Sequence, residues 1–236
     1  MWRGLAAVGA SHAMVLAATA PRGAEALARH LLALESYPLM VLYLVVAWPR
    51  LPDSYRDDRA APCPGAVLAQ LAVFDLAGWL LHRAEHRWRG LYRLTHSHHH
   101  RIQHPRVLDA FRGSVADTAM LILVPLQVTA WSLHLLGCAV RFWSFVVFGV
   151  LFSTHFLLIH HAGAVRYHRA CRAAGVVTYD DHHTHHVRRK CNFGHIFTLW
   201  DRAAGTFAAT APRDALFFRP APAAAPRSEA AAPPRC

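Results

Sequence analysis

Long apolar runs alternate with polar segments along most of the chain. Five of these runs approach the roughly 20 residues with which an α-helix crosses the hydrocarbon core of a bilayer. They cover residues 5–20, 31–48, 66–81, 115–140 and 142–159. Glu35 and Pro38 interrupt the second run, and the first is rich in alanine and only moderately apolar. The pattern predicts an all-α protein with about four to five membrane helices.

The first run has a second interpretation. Arg3 precedes it, and residues 18–20 (Ala-Thr-Ala) resemble the small-residue cleavage site of a signal peptide. Because the charged region before the run is a single arginine, a membrane anchor is the favoured interpretation.

Polar segments divide the chain into three parts. Residues 49–65 are rich in proline and charge, which indicates a connecting loop. Residues 210–236 are mostly Ala, Pro and Arg and cannot bury a core, so they are predicted to be a disordered tail. We therefore expect N-terminal membrane helices and a linker over 1–65, a main domain over 66–209 and a tail over 210–236.

Composition supports a membrane protein rather than a nucleic-acid-binding one. The chain is 54% hydrophobic and 17% charged, with a net charge of +11. It has no recognisable nucleic-acid module, and in so apolar a chain positive charge indicates the cytoplasmic face and anionic lipid headgroups. Five scattered cysteines without a CxxC motif indicate reduced thiols rather than a disulfide framework.

Most of the 19 histidines fall into four groups with regular spacing. The first group lies at the end of an apolar helix, where a spacing of four residues puts two imidazoles on one face. Two further groups have the pattern HxxHH, and the last group ends the final apolar run. The members are His82 and His86; His96, His99 and His100; His182, His185 and His186; and His155, His160 and His161.

The order of the segments predicts that these groups meet. Two apolar runs separate the His-rich segments 88–114 and 162–209, so a helical hairpin returns the chain to the same membrane face. Basic residues flank both segments, which places both in the cytoplasm by the positive-inside rule. The flanking residues are Arg83, Arg87, Arg89, Arg93, Arg101, Arg166, Arg169, Arg172, Arg188, Arg189 and Lys190.

The spacing of the histidine groups predicts a specific metal site. Isolated histidines such as His12, His30 and His134 are explained as packed or solvated side chains, and a His-rich loop alone could be a pH sensor or an unspecific metal-binding tract. Several regular groups on one face offer more imidazoles than one ion takes, so two ions are implied. Imidazole suits zinc, copper, iron and nickel, and iron is favoured for redox attack on a C–H bond because zinc has no redox chemistry.

Asp75 is a carboxylate inside an apolar run, which is costly and indicates a functional role. Asp75, Trp79, His82 and His86 form one stripe on a helix. Asp75 either orients a ligand histidine from behind or pairs with a polar group of a neighbouring helix. Asp117 raises the same question.

Taken together, these residues resemble the fatty acid hydroxylase and sterol desaturase superfamily over roughly residues 75–207. The resemblance consists of Asp75, Trp79, His82-Arg83, His86 and Leu91-Tyr92-Arg93; His96, His99 and His100; His182, His185 and His186; and the ending Asn192-Phe193-Gly194, Leu199-Trp200-Asp201-Arg202 and Gly205-Thr206. It implies polytopic membrane helices with a cytoplasmic, histidine-rich helical cap that holds two iron ions. It assigns the domain over 66–209 as catalytic.

The resemblance also implies an activity: use of O2 to hydroxylate or desaturate a lipid in lipid biosynthesis. Electrons would come from an external donor, a reductase or a small b-type haem protein. The expected location is the endoplasmic reticulum if the source is eukaryotic. Sterols, long-chain fatty acids, sphingoid bases and carotenoids remain open as substrates, and so does the choice between an alcohol and an alkene as product.

By motif, the implied catalytic metal ligands are the eight box histidines His82, His86, His96, His99, His100, His182, His185 and His186. For the histidine after the hairpin, His155, His160 and His161 are alternatives; His161, followed by Gly163, fits the sterol-type members best. Asp75 is the expected second-sphere residue, and His98, His183 and His195 are spare. The alternative function is a non-enzymatic, histidine-rich membrane transporter or sensor of metal, although a transporter should carry its ligands near mid-membrane.

Overall fold

The computed structural model of the protein describes residues 1–19, 24–161 and 168–209. Within these ranges the regular elements are helices, and the β-structure is one isolated antiparallel bridge between Val176 and Phe197. The predicted disordered tail over 210–236 lies outside the described residues.

We number the α-helices of the described ranges in chain order. They are α1 (Trp2–Thr19), α2 (Ala24–Leu32), α3 (Tyr37–Ala47), α4 (Pro64–Arg87), α5 (Arg89–Leu94), α6 (Val115–Thr118), α7 (Val124–Leu135), α8 (Phe142–Ile159), α9 (His168–Ala173), α10 (Tyr179–Arg188) and α11 (Leu199–Ala203). Short 3₁₀ turns lie at Trp48–Arg50, Asp53–Arg56, His99–Arg101 and Val107–Asp109.

Four segments are long and apolar enough to cross a membrane: Ala24–Arg50, Pro64–Arg87, Val115–Leu135 and Phe142–Ile159. They confirm the predicted all-α class with about four to five apolar segments. The first apolar run is also helical, as α1, but is not among these four candidate spans. Ala24–Arg50 is interrupted where α2 ends and α3 begins, next to Glu35 and Pro38, as the sequence predicts.

The span Val115–Leu135 is continuous but irregular. A π-helical turn over Ala119–Leu123 joins α6 to α7, and Pro125 follows directly. Proline has no N–H for the helix, and its ring clashes with the carbonyl four residues before it. A wider turn at this point accommodates both defects without ending the helix.

Helix α8 lies at the centre of the bundle, with α1, α4 and α10 packed against it. Phe74 of α4 contacts Phe148 and Phe152 of α8, with ring centroids 5.5 and 4.3 Å apart. Helices α4 and α8 both end among the histidines. The hairpin therefore brings the two His-rich segments to one end of the bundle.

Two carboxylates fasten the C-terminal loop to α4. Asp75 accepts hydrogen bonds from the backbone N–H groups of His195, Ile196 and Phe197, at 3.0, 2.8 and 2.9 Å. Asp201 accepts one from the Gly194 N–H at 2.8 Å and one from Trp79 Nε1 of α4 at 3.2 Å. Among the described residues, the hydrogen-bond donors to Asp75 are therefore backbone N–H groups of this loop, which meet the needs of a buried carboxylate. The sequence suggested a ligand imidazole or a polar side chain of a neighbouring helix as its partner.

Asp75→Ala should lower the stability of the folded protein by roughly 3 kcal/mol, because two buried N–H groups and a partly buried one lose their acceptor. Thermal unfolding of the detergent-purified variant would show this as a midpoint several degrees below that of the wild type. Glu25→Gln is the control, since Glu25 is an exposed residue paired only with Arg29 one helical turn away. Equal midpoints for Asp75→Ala and Glu25→Gln would contradict the assigned role.

Candidate metal centre

Five imidazoles converge where α4 ends. His82 and His86 belong to α4, His96 and His100 follow α5, and His185 belongs to α10. One ring nitrogen of each lies within 4.8 Å of the corresponding nitrogen of the other four. We call these residues the first histidine group.

Four more imidazoles form the second histidine group: His99, His160, His182 and His186. They are buried, and their ring nitrogens again lie within 4.8 Å of one another. The two groups adjoin, since the rings of His100 and His186 are 4.7 Å apart between centroids.

Helix α10 positions three of these nine histidines. It begins at a cap in which the Thr178 hydroxyl and the Thr178 N–H both donate to the Asp181 carboxylate, at 2.7 and 2.9 Å. It ends before Arg189, whose backbone is left-handed with φ 60°. Because the helix begins at a fixed point, His182, His185 and His186 project toward the centre from consecutive turns.

In six of the nine histidines, Nδ1 faces an oxygen that only accepts hydrogen bonds. The pairs are His82 with the Phe193 carbonyl at 2.8 Å, His96 with Asp117 at 2.7 Å, His99 with the Arg112 carbonyl at 3.2 Å, His160 with the Phe156 carbonyl at 2.7 Å, His185 with the Cys191 carbonyl at 2.8 Å and His186 with the Ile102 carbonyl at 2.9 Å. Each Nδ1 therefore carries the proton, and each Nε2 presents a lone pair.

The lone pairs face one another, which suits a cation. His82 Nε2 and His96 Nε2 are 3.0 Å apart although neither carries a proton to share. His86 Nε2 is buried and has no hydrogen-bond partner. Two nitrogens each about 2.1 Å from one ion can approach each other to such a distance. The residues of both groups therefore fit metal ions.

Two buried carboxylates lie behind His96. Asp117 Oδ1 is 2.7 Å from His96 Nδ1, and Glu85 Oε2 is 3.9 Å from the same nitrogen. Buried carboxylates are costly unless positive charge is near, and metal ions among neutral imidazoles would supply that charge. Asp117 orients a histidine from behind, the role that the sequence suggested for Asp75.

Burial keeps the histidines of the centre neutral. Burial and, after it, the neighbouring imidazoles hold the pKa of His182, His185 and His186 well below its usual value. A histidine must be neutral to bind a metal ion. These three rings are therefore in the neutral form that binding of a metal ion requires.

The structure brings all eight box histidines into the two groups. Of the three alternatives after the hairpin, His160 lies in the second group, whereas His155 and His161 lie in neither. The reason is local: α8 ends at Ile159, and His160 turns inward with Nδ1 on the carbonyl of its own helix. His160 is thus the one of the three that lies in a histidine group of the described residues, whereas the resemblance fits His161 best.

Two residues have places that the sequence did not predict. Glu85, between two box histidines, lies with its carboxylate 3.9 Å from His96 Nδ1. His195, taken as spare, is buried and stacks on His82 at 4.9 Å with nearly parallel rings. Of the other spare histidines, His98 is exposed and His183 is buried outside both groups.

An apolar cavity of about 510 Å³ lies between α1, α3 and α8 and extends as far as Phe156. Its lining follows one face of α8 from Phe142 to Phe156. The Phe156 ring in turn contacts His160, with centroids 4.8 Å apart. A small cavity of about 20 Å³ lies beyond it, against His99 and His195.

Fold and site together define a helical protein of membrane type, with clustered histidines close to one end of an apolar cavity. The sequence profile of the fatty acid hydroxylase family matches residues 67–206, and the chain belongs to this family. This confirms the resemblance found in the sequence.

A relative adds a more specific likeness. The chain is 32% identical over 186 residues to a protein of Phaeodactylum tricornutum (strain CCAP 1055/1) named alternative squalene epoxidase. The match covers 78% of the chain and 52% of the relative, so the chain spans about half of the relative's length. No solved structure matches the chain significantly.

Asp117→Ala should weaken metal binding by roughly 10- to 100-fold, because His96 loses the partner that fixes its ring and its proton. Metal retained per chain during titration with a chelator measures this. Asp53→Asn is the control, since Asp53 is exposed and paired with Arg56 in a loop away from the centre. If both variants release metal at the same chelator concentration, Asp117 does not act through His96.

His160→Ala and His161→Ala should differ in metal content. The first removes a member of the second histidine group, so we expect metal loss from the purified protein. The second removes a half-buried residue outside both groups, so we expect wild-type content. Metal loss in His161→Ala with full content in His160→Ala would restore the register that the resemblance favoured.

Proposed function

We propose that the protein is a membrane-bound, non-haem di-iron oxidoreductase that uses O2 to hydroxylate or desaturate a lipid of sterol or fatty-acyl type. The observation that carries the proposal is the position of two imidazole groups next to a long apolar cavity, from which three side chains separate them. A transporter or sensor of metal, the alternative function, has no need for a lipid-sized cavity beside its ligands. Membership of the fatty acid hydroxylase family supports the same conclusion.

We propose that each histidine group holds one ion. The first ion would be bound by His82, His86, His96, His100 and His185, and the second by His99, His160, His182 and His186. A donor set of imidazoles without thiolates suits iron. When bound, a pair of redox-active iron ions supplies the means to use O2 against an unactivated C–H bond.

The chain's own residues prepare this chemistry in three ways. Backbone carbonyls hold the imidazoles in one orientation, so the ligands need little rearrangement. Asp117 and Glu85 offset positive charge where water is excluded. Burial of both groups keeps solvent away from reactive species. These contacts support a catalytic centre more than a site for reversible metal transfer.

The cavity supports an uncharged substrate. Among the described residues that line it there is no Asp, Glu, Lys or Arg, and its polar side chains are few, such as His12, Tyr37 and Ser153. An ionised headgroup inside it would be costly. The relative named for squalene epoxidation adds an isoprenoid hydrocarbon to the sterols and fatty-acyl lipids to be tested, and adds oxygen transfer to a double bond as a product type.

The surroundings of the centre support an external electron donor. We propose that a reductase or a small b-type haem protein docks at the histidine-bearing end, where Arg87, Arg89 and Arg93 are exposed. This end would face the cytoplasm, from the endoplasmic reticulum membrane in a eukaryotic source. We further propose that residues 66–209 are the catalytic domain and that helices within 1–65 complete the cavity, since α1 lines it.

Metal analysis and lipid profiling test this function together. We expect the detergent-purified wild type to carry a pair of irons per chain, and cells expressing it with a working reductase to contain a new hydroxylated, unsaturated or epoxidised lipid. His185→Ala should lose metal and reduce that lipid to background, because His185 is a buried member of the first group. His134→Ala, a change at an exposed histidine, should behave as the wild type.

A second outcome would contradict the proposed oxidase function. Little bound iron together with unchanged lipids, despite a working reductase, would favour the metal-binding alternative. Zinc found alone would call for repetition in iron-supplied cells, because zinc occupies imidazole sites without any redox chemistry.

A further inference from the structure

Three side chains separate the large apolar cavity from the small one. Phe111, Ile122 and Phe156 line both cavities. Beyond them, the small cavity is bounded by His99 of the second histidine group and by His195. A lipid in the large cavity therefore meets these three side chains before it meets the candidate metal centre.

The three side chains form a packed barrier. The exposed fractions of Ile122, Phe156 and Phe111 are 5%, 7% and 9%. The rings of Phe111 and Phe156 are 5.5 Å apart between centroids. Tyr37 holds Phe111 from the other side, with centroids 5.6 Å apart. Each member is thus supported by a different element: α3 through Tyr37, the π-helical turn and α8.

The two cavities differ greatly in what they admit. The large cavity follows α8 from Phe142 to Phe156, a rise of about 21 Å at 1.5 Å per residue. It therefore accepts a long apolar chain lengthwise. The small cavity, about 20 Å³, holds little more than one water-sized molecule. With the barrier closed, at most the end group of a chain approaches the histidines.

We propose that Phe111, Ile122 and Phe156 determine how far the lipid reaches toward the second histidine group, and thereby which carbon is oxidised. The proposal rests on the proposed lipid oxidase function. Reaction requires the reacting atoms to lie about 3–3.5 Å apart. Because the barrier limits how far the lipid enters, it determines which carbon of the lipid can come that close to the centre. The intact barrier restricts oxidation to the end of the chain, and a smaller side chain admits the chain further.

Two members of the barrier, Phe111 and Ile122, can be changed without altering a contact to the proposed ligands that the structure gives. None of the three residues belongs to a histidine group. The contact from Phe156 to His160 Nδ1 is made by its backbone carbonyl, which a side-chain substitution preserves. Phe111 contacts aromatic side chains, and its backbone carbonyl is not one of those that accept a hydrogen bond from a ligand histidine. Phe111→Ala is therefore the principal variant, and Phe111→Leu and Ile122→Ala are milder changes that serve if it folds poorly.

Photo-crosslinking tests the barrier without any catalysis. The probe is octadecane with a diazirine at one end, added to detergent-purified protein and mapped by peptide mass spectrometry. We expect wild-type adducts at Phe152 and Phe156. In Phe111→Ala the share of adducts at Ala110, Thr118 and Leu121, which bound the small cavity, should rise severalfold. Leu151→Ala, on the exposed side of α8, is the matched control and should keep the wild-type pattern.

Product analysis completes the test. With a lipid that the wild type oxidises, Phe111→Ala should move the oxidised position at least one carbon inward from the chain end. Two results would contradict the proposed barrier. One is a wild type without adducts at the residues that line the large cavity, and the other is an adduct pattern that stays unchanged in all barrier variants. A shift of adducts with no oxidised lipid from any form would instead leave the barrier standing and remove the proposed function.

Discussion

Nine imidazoles converge at one end of the bundle, and in six of them a protein oxygen must hold Nδ1 so that Nε2 is left for the centre. Much of the architecture around the centre follows from that constraint. Backbone carbonyls from separate parts of the chain reach individual rings, and a carboxylate reaches His96. The Cys191 carbonyl accepts from His185 of α10, and the Phe193 carbonyl accepts from His82 of α4. The segment 191–193 therefore fixes the positions of α4 and α10 relative to each other.

Asn192 makes that segment possible. Its backbone is left-handed, with φ 56°, a conformation that asparagine tolerates better than most residues. Its side chain donates to the Asp181 and Ala208 carbonyls at 3.0 and 2.8 Å, and so ties the start of α10 to the end of the described chain. The tight turn at Asn192 thus presents the carbonyls on either side of it to two different helices. This gives a physical reason for an asparagine in the family-like ending.

Close packing as well as hydrogen bonding fixes the segment that begins at Asn192. A Cβ at Gly194 would lie 2.6 Å from the Phe197 carbonyl oxygen, so only glycine fits there. Asp201 accepts from Gly194 N–H and from Trp79 Nε1 at 2.8 and 3.2 Å. Asp75 and Trp79 of α4 therefore contact residues near the end of the domain directly, Asp75 at His195 and Trp79 at Asp201. Helix α8 links this polar end to the apolar cavity, because its aromatic face lines the cavity and its last turn precedes His160.

The sequence by itself determined the class, the spans and the histidine boxes. Apolar length and spacing of three or four residues are local properties, and helix geometry converts them directly into spans and shared faces. The break next to Glu35 and Pro38 is local in the same way. Only the tertiary structure decided the partner of Asp75, which is 120 residues distant at His195, the inward turn of His160 rather than His161, the place of Glu85 and the two cavities. These features depend on which distant segments pack together, and no periodicity within one segment carries that information.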